Sequence, residues 1–301
     1  MEISRSRSAG DRIFDIILFI LLTLVFLVVA YPLYFIIISS ISDPVPVARG
    51  EVTFYPIGFT LDGYARVFRE STVMRGFANS LLYAVVGVTV NLLVTLPTAY
   101  ALSRKDFFAG RPIMFFYMLT MFVSGGLMPT YLVVKNTGLM DSMWALIIPG
   151  AVTVYNMIVA RTFFKTNIPQ ELLEAAKLDG CGNTRFFLSI VLPLSGAITA
   201  ILVLYYGVGH WNSYFNALLY ITNRNKWPLQ LELRSILLQN SLSQTKSVMT
   251  AAELAEKARL EALVEMMKYS LIIVSSVPVM ILYPFVQKHF VKGVTIGSVK
   301  G

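Results

Sequence analysis

Six apolar runs set the pattern of this chain, at 13–41, 76–102, 112–134, 142–160, 186–222 and 269–287, and charged residues fall almost wholly between them. Crossing the hydrocarbon core of a bilayer takes about 20 residues of helix, and each run reaches or approaches that length. Asp15 is the single formal charge inside them. A backbone in lipid has to satisfy its own hydrogen bonds, so isolated runs of this kind predict helices. The expected fold class is all-α: a polytopic membrane protein with six transmembrane helices. Its expected divisions are 1–74, a first transmembrane helix with an external loop; 75–287, a core of five further helices; and 288–301, a cytoplasmic tail.

The first run follows Arg5, Arg7 and Arg12, as the apolar part of a signal peptide follows its basic start. A cleaved apolar segment is at most about 15 residues, so this longer run reads as a retained span. The fifth run exceeds one upright span. Gly196, Gly207 and Gly209 interrupt it, and His210, Trp211, Asn212 and Asn216 make its outer end polar. A broken or tilted helix lining a cavity fits this pattern, and so does a helix end emerging into the membrane interface. Six spans place both termini on one side. With the N-terminus inside, the inner segments hold 13 of the 25 lysines and arginines in fewer residues than the outer ones. The density of positive charge therefore favours cytoplasmic termini.

Two longer loops face outward in this reading. In the first, Pro44, Pro46 and Pro56 predict extended chain, followed by a short helix over 62–70. Its aromatic residues Phe54, Tyr55, Phe59 and Tyr64 would pack on the membrane surface or on a partner. The second loop, 223–268, reads as helix in its later half. Thr250-Ala-Ala-Glu253 is a capping-box pattern, Glu253 and Lys257 form an i,i+4 pair, and Leu260, Leu263, Val264 and Met267 make an apolar stripe. Partner contact is expected at its glutamine- and serine-rich tip, 237–244.

Between the fourth and fifth runs lies a compact polar segment, 169–184. Pro169 suits a first helical position, where a missing N–H costs nothing. Glu171 and Glu174 lie in the first turns, where the helix dipole favours acids. Ala175 and Ala176 keep one face small, so that another surface can approach. Asp179 and Gly180 end the helix, the glycine where the chain must turn. Asn183 or Thr184 is placed to cap the next helix, and Ile190 and Pro193 fall inside the following span. A short rigid helix tied to a span can act as a peg; an ordinary polar loop with one helical turn would look similar.

Composition narrows the function classes. Only 14% of residues are charged, against about 25% in soluble domains. The net charge of +8 comes from residues that flank apolar runs, which argues for membrane lipid and against nucleic acid. Cys181 is the only cysteine and His210 and His289 the only histidines, so neither an intrachain disulfide nor a histidine-rich metal site is expected. No Gly-rich loop ending in Gly-Lys-Ser/Thr occurs, nor a His-Glu-x-x-His or Gly-x-Ser-x-Gly motif. The spans hold too few ionisable groups for an intramembrane enzyme.

Glu174-Ala175-Ala176, three residues, Gly180, nine residues, Ile190, one residue and Leu192-Pro193 resembles the signature loop of bacterial ABC-importer permeases, with every position filled. It falls between spans four and five of six, as in maltose-type carbohydrate-uptake permeases. Phe77-Ala-Asn79-Ser80 through Ala99-Tyr100-Ala101-Leu102-Ser103-Arg104 looks like the start of that family's core. The ending Phe290-Val-Lys-Gly293-Val-Thr-Ile-Gly297-Ser-Val-Lys-Gly301 is similar to the branch associated with oligosaccharides and polysaccharide fragments, alginate-type and rhamnogalacturonan-type among them.

The resemblance implies the type I permease fold and a transport subunit, not an enzyme. The implied partners are a second permease, two ATPase subunits that bind ATP and magnesium, and an extracytoplasmic solute-binding protein; no cofactor is expected in this chain. The segment around Glu174 and Gly180 would be the coupling helix, with Glu174 meeting a basic residue of an ATPase, and the tail would also reach the ATPase pair. Tyr155, Asn156, Trp211, Asn212 and Asn216 have the chemistry for a sugar path, aromatic faces and amides, although helix–helix packing uses the same residue types. An importer for a peptide, an amino acid or phosphate shares the loop and is the alternative; a membrane scaffold or receptor leaves the loop without a role.

Overall fold

A computed structural model describes residues 9–242, 262, 264, 266–284 and 287. Arg5, Arg7, the capping box at Thr250, the Glu253–Lys257 pair, Leu260, Leu263, the end of the 237–244 tip and the tail 288–301 lie outside the described residues. The chain divides into two compact units, one of Met1–Arg69 with Leu237–Val274, the other of Glu70–Ile236 with Ser275–Gly301.

In the first unit, α1 (Ala9–Ser40) is the most apolar helix, and its first six turns are exposed within the chain. Lipid or another subunit must cover that surface. Its last turn is different. Ser39, Ser40 and Ser42 are buried, and Ser40 and Ser42 hydrogen-bond the carbonyls of Ile37 and Ile38 at 2.7 and 2.6 Å. A short helix α2 (Pro44–Ala48) follows where the prolines predict extended chain. The reason is local: Pro44 occupies the first helical position, which needs no N–H, and the Asp43 carboxylate caps Val45 N at 2.9 Å. The expected surface helix is present as α3 (Asp62–Arg69). Gly63 on α3 lets the chain at Ser270 and Met266 come close: a Cβ there would stand 2.4 Å from Ser270 Oγ.

The second unit begins with α4 (Ser71–Ser103), a single long span. The next three are not upright rods. α5 (Gly110–Phe122) and α6 (Leu127–Asn136) meet at 118°, so the third apolar run is broken between Phe122 and Leu127 and is not one upright helix. α7 (Trp144–Ile147), with its following 3₁₀ turn, and α8 (Val154–Asn167) meet at 52°. After α9 (Gln170–Leu178) come α10 (Asn183–Phe186), a π-helical turn over Phe187–Val191, and α11 (Leu192–Leu194). A bend of 79° then leads into α12 (Gly196–Trp211). Of the three glycines expected to interrupt the fifth run, only Gly196 marks a break; Gly207 and Gly209 lie inside α12. α13 (Phe215–Tyr220) and α14 (Leu229–Leu242) complete the sequence before α15 (Met266–Pro284). The described residues thus make six candidate spans, three continuous and three bent, and the fold is all-α.

Breaks inside lipid free backbone groups, and each freed group needs a partner. At the break of the fourth span, Asn91 of α4 donates to the carbonyls of Gly150 and Ala151, both at 2.8 Å, and its own carbonyl pairs with His210 at 2.7 Å. Tyr206 accepts from Thr153 N at 3.4 Å and shares a hydrogen bond with Thr95 at 2.8 Å. Glycine brings α4 and α12 close enough for this: a Cβ at Gly87 would lie 2.5 Å from the His210 ring. At the bend of the fifth span, Ser195 Oγ donates to Val191 O at 2.6 Å, and Pro193 lacks the N–H that a regular turn would need. The main core of this unit gathers Leu96, Tyr100, Met157, Phe164, Phe186 and Leu202 from α4, α8, α10 and α12.

Candidate functional site

The segment singled out by its spacing is a helix ended by a glycine turn. Pro169 (φ −61°, ψ 144°) stands one residue before the helix rather than at its first position, and α9 starts at Gln170. Glu171 lies in the first turn, and Gln170 Nε2 donates to Glu174 Oε1 at 2.9 Å. The helix closes with Cys181 N donating to Ala176 O at 2.8 Å and Gly180 N to Lys177 O at 3.1 Å. That is the Schellman pattern, and it needs a left-handed residue between the two donors. Gly180 supplies it with φ +73°.

α9 is two-sided. Ala176 is buried and Leu173 half-buried against the core, so Ala176 serves inward packing and only Ala175 offers the small outward surface expected of both. Glu171, Glu174, Asp179 and Gly180 face outward with it. Leu178 is 90% exposed, and Leu172 is exposed on the same helix beside the acids and Lys177. Neither Asn183 nor Thr184 caps α10: the cap position is Gly182, and Asn183 Oδ1 instead accepts from Arg104 Nη1 at 2.8 Å. Ile190 is half-buried against the core, and Pro193 is exposed beside the bend.

A group that the spacing did not reveal braces this segment. Arg104, just past the end of α4, donates from Nε and Nη2 to the two oxygens of Asp106, at 2.8 and 2.5 Å. Lys177 of α9 reaches the same carboxylate at 3.4 Å. Arg104's hydrogen bonds, and secondarily Lys177, hold the Asp106 carboxyl well below the usual carboxylate range. Arg161 Nε donates to Leu102 O at 2.9 Å, tying α8 to the same end of α4.

Elsewhere in this unit, a cavity of about 500 Å³ is lined by Tyr155, Asn156, Leu204, Tyr205, Val208, Val279 and Tyr283. Tyr155 and Tyr205 stand 6.2 Å apart at 45°. Asn156, 6% exposed, brings an amide to the same lining. The other path candidates are elsewhere. Trp211 is buried edge-on against Phe77, and its indole N–H is spent on Ser275 O at 2.9 Å. Asn212 follows the end of α12 and Asn216 sits on α13, both exposed and neither lining the cavity.

No family model matches the chain. It is 38% identical over 296 residues to the polygalacturonan/rhamnogalacturonan transport system permease protein YtcP of Bacillus subtilis, covering 97% of this chain and 99% of that one. It belongs to the carbohydrate ABC-importer permeases. Protein LplC of the same organism is also 38% identical, over 293 residues, covering 97% of this chain and 96% of the other. Arabinooligosaccharides transport system permease protein AraQ of Halalkalibacterium halodurans is 27% identical over 280 residues, covering 91% and 92%. In structure, the chain matches a bacterial ABC transporter involved in the import of the acidic polysaccharide alginate, at TM-score 0.85 and 30% identity, over 95% of this chain and all of that chain. Family membership makes this permease a multi-pass inner-membrane subunit of a transporter.

Proposed function

We propose that this permease imports oligosaccharides cut from acidic polysaccharides, working with a second permease, two ATPase subunits and an extracytoplasmic binding protein. ATP and magnesium belong to the ATPases in this reading, and this chain carries no nucleotide site. Its termini and α9 lie on the cytoplasmic side. The observation that carries the coupling role is the exposed outer face of α9, with Glu171, Glu174 and Leu178 on it, set on a helix whose inner face is built into the core. ATP closes the ATPase pair, α9 is carried with its ATPase, and the spans rock between inward- and outward-facing states. ATP drives that motion only if it favours one state over the other.

The relatives with uronic-acid polymers in their names support the substrate class. The cavity between Tyr155, Asn156, Tyr205 and Tyr283 supports the path. Sugar rings present C–H faces to aromatic rings and hydroxyls to amides. The lining contains no lysine or arginine, so a uronate would pass without being held by a strong ion pair. Weak contact suits a passage that must release what it admits.

The test is co-expression of a tagged chain with the candidate partners, then reconstitution into proteoliposomes. ATP-driven uptake of oligogalacturonate or alginate oligomers that needs the binding protein supports the reading. Uptake confined to peptides, amino acids or phosphate, or purification without an ATPase, contradicts it.

A further inference from the structure

The only covalent route from α9 to the spans on its C-terminal side runs through the Gly180 turn into α10 and the fifth span. A push on α9 would reach α4 only through space. Apolar contact supplies part of that route, since Ala176 and Phe186 pack with Leu96, Ala99 and Tyr100. That packing restricts the angle at which α9 lies. The polar groups add a directional tie to the chain just past α4. Asp106 takes both of its Arg104 hydrogen bonds in the forked geometry that fixes a carboxylate's plane. The same carboxylate receives Lys177 from α9, and the third arm of the same guanidinium reaches Asn183. One ion pair therefore holds both sides of the Gly180 turn to the end of α4. The Arg104 side chain is 13% exposed, so the anchor end of the pair is fixed in the protein while the Asp106 end faces α9.

We propose that Asp106 is a positioning residue for energy coupling: it sets the angle of α9 on the end of α4, so that one push moves the second span together with the fifth. The proposal rests on the reading of α9 as the ATPase-docking element. Exposed ion pairs add little stability, so the role is geometric, and its loss shows in how motion is transmitted rather than in how well the chain folds.

The experiment uses the whole importer in proteoliposomes and reads sugar imported per ATP hydrolysed. Asp106→Ala and Asp106→Asn are expected to lower that ratio about 5-fold or more, the low end for coupled sites, while the ATPase still copurifies and hydrolyses ATP. Asp106→Glu should restore at least half of the wild-type ratio. An unchanged ratio in Asp106→Ala overturns the proposal, as does uptake that falls only in step with ATPase binding. If Asp106→Ala does not assemble, Lys177→Met, which cuts only the α9 end, decides in its place: a lowered ratio supports the clasp and a wild-type ratio refutes it. Gly180→Val run in parallel separates the two readings. Uncoupling by Gly180→Val alone removes the clasp and leaves the docking role standing; no effect from either removes both.

Discussion

Two turns at opposite ends of the fourth span share a rare backbone geometry and use it differently. Gly180 has φ +73° and Asp141 φ +55°, Asp141 being the only described residue other than glycine with positive φ. Asp141 is closed off by its own chain. Its carboxylate accepts from Thr222 N at 3.1 Å and Asn223 N at 2.9 Å, and Lys226 Nζ binds both its carboxylate and its carbonyl. Its N–H donates to Tyr220 O at 2.8 Å. At Gly180 a built Cβ would meet nothing within 4 Å, and the neighbouring Leu178 stands open. One end of the span is finished from within, with strain offset by hydrogen bonds. The other is shaped but left uncovered, as a surface must be if a separate motor is to seat on it.

The contrast is broken most sharply at Gly180. A side chain in the left-handed region costs about 1–2 kcal/mol; the open surroundings add no clash, so Gly180→Val should leave the chain inserted and folded. Uptake is nevertheless expected to vanish, because the turn no longer presents α9 at its proper angle. Near-normal uptake by this variant in proteoliposomes would mean that the open turn has no partner. Leu178→Ala should come next. Burying a leucine contributes about 1.5–3 kcal/mol, so loss of most of that side chain should weaken ATPase binding about 10-fold in a nanodisc titration. Unchanged affinity would leave the exposed leucine unexplained.

At the closed turn the effect should fall on stability instead. Asp141→Ala removes the acceptor for two backbone N–H groups and for Lys226, and about 1–2 kcal/mol should be lost. A lowered thermal midpoint in detergent with uptake per folded molecule unchanged is the expected result; a selective loss of uptake would make this end functional too. The smallest effect is in pH. Hydrogen bonds from Asn223, then Lys226, hold the Asp141 carboxyl below its ordinary value. A depressed folded pKa contributes stability that is complete above the unfolded value of about 3.9 and is lost as pH falls through the folded one. The difference in midpoint between wild type and Asp141→Asn should therefore be constant above about pH 5 and shrink below about pH 4. A difference that grows on acidification would contradict the assigned cause.

How much of this was readable in advance depends on the range of the interaction. The six apolar runs, the turn at Gly180 and the family all follow from local spacing, and local spacing is in the chain. The bends were less legible. Gly125 and Gly126 permit a break but do not require one, and Gly207 and Gly209, equally glycine, lie inside a continuous helix. Asn91 was silent because its partners, Gly150, Ala151 and His210, lie 59 or more residues away. A lone amide in an apolar run was its only signal. The surroundings of Trp211 were hidden for the same reason: its edge-on contact with Phe77 and its bond to Ser275 O join distant parts of the chain. Arg104 read as the end of the core motif and Asp106 gave no signal, since nothing in their spacing points to Lys177 or Asn183. Pro44 shows the reverse error, where a residue read as a helix breaker starts a helix because Asp43 caps it.

The central claim, that the uncovered α9 surface receives a cytoplasmic motor, is tested most directly by thiol labelling of Leu178→Cys in a chain whose one native cysteine has been replaced by Cys181→Ser. The account predicts that a membrane-impermeant reagent labels this site in inside-out vesicles but not in intact cells, and that adding the ATPase subunits protects it. Labelling from outside intact cells, or labelling in inside-out vesicles that the ATPase leaves unchanged, would contradict it.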